Sequence, residues 1–133
     1  MNGKVLFTKT VVFAVAIISL VSCTKIELSS RFGAWTVTEC GASNGLFEVG
    51  DRIKYAENDD IIRLYREGTN PVSVHEWPLL GSLEDNVLTL RLLTIPLPGP
   101  PYDYHIVKLN KADFVLRRVD FDSKEGIVVM KRQ

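Results

Sequence analysis

The sequence predicts an all-β domain, built as an antiparallel up-and-down β-barrel of about eight strands. Short runs rich in Val, Ile, Leu, Thr and aromatic residues recur at intervals of roughly ten residues. Clusters of Asn, Asp, Gly and Pro separate these runs, and no window of about a dozen residues has the apolar spacing of a helix. Such short connections favour hairpins, and closing the sheet into a barrel leaves no edge strand exposed.

The strand segments follow from these runs. In residues 88–92 the alternation is strict, with leucines on one face and Thr89 and Arg91 on the other, which is typical of a sheet with one solvated face. Proline cannot supply ladder hydrogen bonds, so we predict a loop at the proline-rich segment beginning at Pro96 and ending at Tyr102. The predicted strands are residues 33–39, 46–49, 52–56, 61–67, 72–79, 86–94, 103–109, 113–119 and 126–132.

The composition is that of an ordinary globular protein. The chain has 133 residues, 46% of them hydrophobic, and its 16 basic side chains balance 16 acidic ones. Binding to a phosphate backbone requires a basic footprint that a formal charge near zero does not supply, so we expect no nucleic-acid partner. We predict one domain, and a monomer.

The N-terminal segment has the three-part pattern of a secretory signal peptide. Lys4 and Lys9 form a positive region, residues 11–20 (VVFAVAIISL) are uninterruptedly apolar, and small residues follow. The apolar run is about half of the roughly 20 residues that cross a bilayer, so a permanent transmembrane helix is the weaker interpretation. We therefore predict that residues 1–22 are a signal peptide.

The tetrapeptide Leu20-Val21-Ser22-Cys23 resembles the lipobox of bacterial lipoproteins. The resemblance implies cleavage before Cys23, a diacylglycerol on its thiol and often an acyl group on its new amino group. Two or three such chains anchor a protein stably in a membrane. In such lipoproteins the residue just after the cysteine is read as a sorting signal, and an Asp there resembles a signal for retention in the inner membrane. This chain has Thr24 at that position. This favours the outer membrane, and we expect the periplasmic face.

Cleavage would leave a mildly acidic mature chain. Removing residues 1–22 takes away Lys4 and Lys9 and leaves 14 basic against 16 acidic side chains. We predict that residues 23–31 are a tether, whose part after the cysteine spans about 25 Å when fully extended. Residues 32–133 are then the barrel domain.

Gly33-Ala34-Trp35 resembles the Gly-x-Trp opening of lipocalins and lipocalin-like domains. That resemblance implies that the indole closes one end of the barrel and that a basic residue of a late strand packs across it. Later segments are also similar to strands of small lipocalin-like lipoproteins of Gram-negative bacteria, although the chain is shorter than classical lipocalins. These segments are residues 77–79, 85–90, 104–109 and 114–116. The candidate basic residues are Arg118, Lys131 and Arg132.

A hollow barrel would bind its ligand with alternate, inward-facing residues of several strands. We predict a cavity lined by such positions, and a packed interior without a void would defeat the prediction. The candidate ligand-binding residues are Trp35, Val37, Leu64, Leu90 and Ile106.

The sequence shows no recognisable catalytic motif. It has no Gly-x-Ser-x-Gly, and the strands that contain its two histidines, His75 and His105, each offer at most one candidate metal ligand on a given face. Cys40 has no partner for a disulfide once Cys23 is lipidated, and we interpret it as a buried structural thiol. We therefore predict neither an enzyme nor a bound metal or cofactor.

These features favour a membrane-anchored, non-enzymatic binding module for a small apolar or amphipathic ligand or for another envelope protein. Two alternatives remain. One is an envelope inhibitor or immunity protein, such as a barrel that inhibits lysozyme or a protease, and the other is a structural lipoprotein without a ligand. In the proline-rich loop, Leu97 and Tyr102 could present a docking surface, or the loop could be only a rigid connection.

Overall fold

The computed structural model describes residues 26–57, 60–68, 74–94, 96–121 and 124–133. They form a closed antiparallel barrel of eight strands in sequential order, in which the first strand pairs with the last. The predicted fold class is therefore confirmed. Cys23, the lipobox and the signal peptide lie outside the described residues. The strands are β1 (Gly33–Cys40), β2 (Arg52–Tyr55), β3 (Ile61–Glu67), β4 (Val74–Glu84), β5 (Val87–Leu92), β6 (Tyr102–Leu109), β7 (Asp113–Arg118) and β8 (Ile127–Arg132).

Alternate residues of each strand fill the barrel interior. Leu88 and Leu90 are buried, whereas Thr89 and Arg91, the next residue after each of them, lie on the outer face, as the sequence pattern predicts. The interior is one connected cluster of apolar side chains, and burial of each large member contributes about 1.5–3 kcal/mol to stability. Its largest fully buried side chains are Trp35, Tyr104 and Phe114.

The strand predicted at residues 46–49 is wrong, because this segment is part of a loop between β1 and β2. Two buried polar side chains satisfy its backbone in place of a neighbouring strand. Asn44 accepts a hydrogen bond from the Phe47 N–H (2.8 Å) and donates to the carbonyls of Gly41 (2.7 Å) and Phe47 (3.0 Å). Asp51 accepts from the Glu48 N–H at 2.8 Å. Such local bonds compete with ladder pairing.

The fourth strand is longer than the sequence pattern predicts. It continues past residue 79 to Glu84, and Gly81 pairs with Leu90 of β5. Glycine suits this point of the strand because a Cβ atom there would lie 2.9 Å from the side chain of Ile62. The β4–β5 hairpin then turns on Asp85 and Asn86, whose positive φ angles of 51° and 62° match a two-residue primed turn.

The N-terminal side of β1 closes one end of the barrel. A 3₁₀ turn, Leu28–Arg31, lies across this end, and the Trp35 indole N–H donates to the Arg31 carbonyl at 2.9 Å. Residues 26–31, which belong to the predicted tether, already contact the barrel, because Ile26 pairs with Leu109. Among the described residues, no helix is long and apolar enough to span a bilayer.

The basic residue expected across Trp35 is Arg132. Its guanidinium carbon lies 4.0 Å from the indole centroid, and its NH1 and NH2 atoms donate to the carbonyls of Phe32 (2.6 Å) and Ser30 (2.7 Å). Gly33 gives this guanidinium room, because its φ is +125° and a Cβ atom would stand 2.5 Å from NH1. The Gly-x-Trp opening thus serves a cation–π contact that pins the C-terminal strand to the N-terminal turn.

Candidate functional site

The end of the barrel opposite the 3₁₀ turn, here called the mouth, is where β1, β3, β5 and β7 end. Residues 41–51, here called the mouth loop, fold over it. Phe47 is buried, with its ring centroid 5.9 Å from that of Tyr104 inside the barrel. The Tyr104 hydroxyl donates to the Asn44 carbonyl at 2.8 Å and accepts from the Leu46 N–H at 3.3 Å. The mouth loop therefore plugs the barrel with an aromatic side chain and is hydrogen-bonded to an interior residue.

An ion pair attaches the mouth loop to β3. The Asp51 side chain is only 1% exposed, and its two oxygens accept from Nε and NH2 of Arg66, both at 2.8 Å. Arg66 NH2 also donates to the Leu46 carbonyl at 2.8 Å. The hydrogen bond with Asp51 raises the pKa of Arg66, and burial opposes that rise. A bidentate arginine–carboxylate pair of this kind fixes orientation as well as adding energy.

One edge of the Arg66 guanidinium is held less firmly. Its NH1 atom lies 3.3 Å from Glu48, whose side chain is 67% exposed. A pair this exposed contributes at most about 1 kcal/mol, so Glu48 can leave Arg66 at little cost. Arg66 thus has a firm contact with Asp51 and a weaker contact with Glu48, which another anion or water could replace.

Burial sets the protonation of two other groups beside the loop. It raises the pKa of Tyr104 well above the usual range of a phenol, so this hydroxyl stays neutral and keeps its donor hydrogen. Burial, followed by the negative charge of Asp51, raises the pKa of the Cys40 thiol. Cys40 is half-buried and its Sγ lies 3.5 Å from the Phe47 carbonyl, so it contacts the mouth loop as a protonated thiol. Raised thiol pKa values disfavour the reactive thiolate.

A cavity of about 270 Å³ lies beside the mouth loop. Among the described residues that line it, Arg66 is the only charged one and most of the others are apolar, which suits an amphipathic molecule. Its volume is just below the range of about 300–1,000 Å³ that is common for ligand pockets, so the occupant would be small. The lining residues are Gly45, Leu46, Leu64, Arg66, Trp77 and Leu92.

Two neighbouring side chains contact the Trp77 ring. The guanidinium carbon of Arg66 lies 5.2 Å from its centroid, and the imidazole of His75 stacks on it at 5.6 Å with an interplanar angle of 21°. Leu64 and Trp77 are direct cross-strand partners, so both side chains share the inner face. This arrangement fixes the Trp77 side chain as one wall of the cavity.

The structure divides the predicted ligand-binding residues. Trp35, Val37, Leu90 and Ile106 are packed in the apolar core, and their part in ligand binding stays a prediction. Leu64 is also in the core and in addition lines the mouth cavity.

The sequence reasoning missed Arg66 and Trp77. Ile62 and Leu64 face inward on β3, and continuing their alternation by one step would have placed Arg66 at the mouth.

The proline-rich loop places its two singled-out residues differently. Leu97 is 72% exposed, whereas Tyr102 is the first residue of β6 and lies half-buried with the Arg118 guanidinium carbon 5.2 Å from its ring. The Gly99 N–H donates to the Leu92 carbonyl at 2.8 Å, which ties the loop to the mouth. A docking surface on this loop would therefore present Leu97 without Tyr102.

Among the described residues, no three His, Cys, Asp or Glu side chains are grouped closely enough to hold a metal ion. Comparisons of the chain with protein-family models, with curated proteins and with solved structures found no significant match.

Proposed function

We propose that this protein is a lipid-anchored envelope lipoprotein whose barrel is a non-enzymatic binding module for a small apolar or amphipathic molecule. The observation that carries the proposal is the cavity of about 270 Å³ beneath the mouth loop, with an apolar lining and one arginine. Apolar walls would supply most of the affinity of such a site, and the single cation would orient the ligand.

The position of the cavity supports binding at the mouth. The interior below Leu64 is filled by the apolar cluster, which includes Tyr104 and Phe114. A molecule longer than the cavity would have to displace Phe47, which requires the mouth loop to leave Tyr104 and Arg66. We therefore expect a compact ligand with the loop closed, and a longer one only with the loop open.

The proposed anchor lies at the opposite end of the barrel. Ile26 pairs with Leu109 at the closed end, only three residues after Cys23. A lipid on Cys23 would hold this end against the membrane, and a tilted strand of eight residues would carry the mouth about 20 Å away from it. A binding site at the mouth would thus face the aqueous side of the envelope.

A second candidate function is binding of an envelope protein. Several large apolar side chains at the mouth are exposed, with Leu97 at 72% and Val49 at 63%. Contacts of this kind suit a protein surface better than a small molecule. The inhibitor, immunity and structural alternatives have no comparable observation in their favour.

The test is native mass spectrometry of the full-length protein, extracted from its own envelope in a mild detergent. We expect an added small-molecule mass that is lost on denaturation. The variant Leu92→Phe narrows the cavity and should reduce the fraction of the protein that carries the added mass. Leu80→Phe is the matched control, because Leu80 is paired with Arg91 on the outer face. Retention that is equal in both variants would place the ligand elsewhere, and a partner protein in the wild-type spectrum would favour the second candidate.

A further inference from the structure

The outer wall of the barrel carries a second pocket, on the opposite face of the sheet from the core. It has a volume of about 240 Å³. Ala34 of β1 pairs with Lys54 of β2, and Arg52 of β2 pairs with Tyr65 of β3, so the register sets all four side chains on the same outward face. Gln133 lies at the pocket edge, where its N–H donates to the Ala34 carbonyl at 3.0 Å.

Two cations line this pocket, and none of the other described residues in its lining is acidic. Arg52 and Lys54 are two positions apart on one face of β2, which separates them by about 7 Å along the strand. Within the described part of the chain, neither forms an ion pair, whereas Arg63 on the next strand lies 3.4 Å from Glu76. Neighbouring like charges on one face repel each other. The described side chains that line the pocket therefore carry two positive charges and no negative one.

The lining is also rich in hydrogen-bond donors. A guanidinium offers five N–H groups and an ammonium three, and a phenol and an amide add further donors from Tyr65 and Gln133. The short side chain of Ala34 leaves the hollow between them open. The Arg52 guanidinium carbon lies 6.0 Å from the Tyr65 ring centroid, which is the outer limit of a cation–π contact, so that ring holds it weakly.

We propose that this pocket binds a dianionic phosphate group. A phosphate monoester carries a charge of about −1.5 to −2 near neutral pH, which matches the two unbalanced cations. Arginine can bind two phosphate oxygens at once, and lysine adds a point charge. Inorganic phosphate and the phosphate of a larger monoester share this chemistry, and the pocket volume accommodates either. The site is separate from the mouth cavity and does not depend on the function proposed for it.

Isothermal titration calorimetry of the full-length protein in a non-ionic detergent tests the proposal. The probes are inorganic phosphate, glycerol 3-phosphate and, as a singly charged carboxylate, acetate. We expect saturable one-to-one binding of the first two and a Kd at least tenfold weaker for acetate. Tighter binding of glycerol 3-phosphate than of inorganic phosphate would assign the site to a monoester, and the reverse order would assign it to the free ion.

Three variants separate a shaped site from diffuse attraction. Ala34→Leu fills the hollow and keeps every charge, and Arg52→Gln removes one cation; each should weaken the Kd of phosphate at least tenfold. Arg91→Gln removes one cation from the outer face of β5, which is two strands away from β3 and outside the pocket lining, so it should change the Kd less than twofold. The proposal is overturned if phosphate does not bind, if Ala34→Leu binds it like wild type, or if Arg91→Gln weakens binding as much as Arg52→Gln.

Discussion

Replacing Asp51 by Asn tests whether the Asp51–Arg66 pair holds the mouth loop closed. The substitution keeps the size of the side chain and one acceptor oxygen, but it removes the charge and one of the two acceptors that Arg66 uses. Hydrogen bonds to charged groups contribute about 1.5–3 kcal/mol each, and breaking a buried ion pair costs about 3–5 kcal/mol.

The expected loss lies below those upper values. The Arg66 side chain is 24% exposed, so water can partly solvate it, and its contacts to Leu46 and Glu48 remain. We therefore expect Asp51→Asn to lower the free energy of unfolding by about 2 kcal/mol. For a domain of this size that is a fall in Tm of roughly 8 °C. Hydrogen exchange at the amides of Phe47 and Glu48 should also accelerate, because Asp51 and Asn44 hold these residues in the loop.

The assay is chemical and thermal unfolding followed by circular dichroism, with Glu76→Gln as the control. Glu76 also pairs with an arginine, at 3.4 Å from Arg63, but both side chains are nearly half exposed. Loss of the Glu76–Arg63 pair should lower the free energy of unfolding by less than about 1 kcal/mol. If Asp51→Asn costs no more than Glu76→Gln and leaves exchange at Phe47 unchanged, the ion pair does not hold the loop.

Three further outcomes are expected. Gly33→Ala should lower the free energy of unfolding by about 1 kcal/mol more than Gly50→Ala does, as measured by chemical unfolding. Both positions have a positive φ, but only at Gly33 would a Cβ atom meet Arg132. Equal losses of stability in the two variants would contradict the role assigned to Gly33. Cys23→Ser should abolish the incorporation of labelled palmitate into the protein, and labelling equal to that of the wild type would contradict the lipid anchor. The hydrogen bond from Lys131 lowers the pKa of Asp113, so the stability it adds is present above the unfolded-state pKa of about 3.9 and is lost as pH falls through the lower folded value. In Asp113→Asn the free energy of unfolding, measured by chemical unfolding at a series of pH values, should therefore fall slightly less steeply below about pH 4 than in the wild type. An equally steep fall in both proteins would contradict this.

The barrel could be predicted from the sequence because its signals are local. Strict alternation in β5 marks which face is buried, and the turn residues Asp85 and Asn86 mark a hairpin. The resemblance at Gly33 and Trp35 also led to the Arg132 contact, although the sequence left three basic candidates open.

The mouth could not be predicted in the same way. The Leu46–Phe47 apolar pair looks like a strand, and only the tertiary positions of Asn44 and Asp51 show that side chains replace its ladder partners. From the sequence alone Arg66 is an ordinary surface cation, and only the fold of the barrel shows that it lies next to Asp51. The outer pocket likewise depends on the pairing of β1 with β2, which sets Ala34 beside two cations.

The central claim is that a small molecule occupies the mouth cavity. Methyl NMR of the full-length protein tests it most directly, by comparing the leucine signals of protein purified from its own envelope with those of the same sample after extraction of bound compounds. The account predicts shifts at Leu46, Leu64 and Leu92, which line the cavity, and none at Leu109, which is buried at the closed end. Identical spectra before and after extraction, or shifts centred on Leu109, would contradict it.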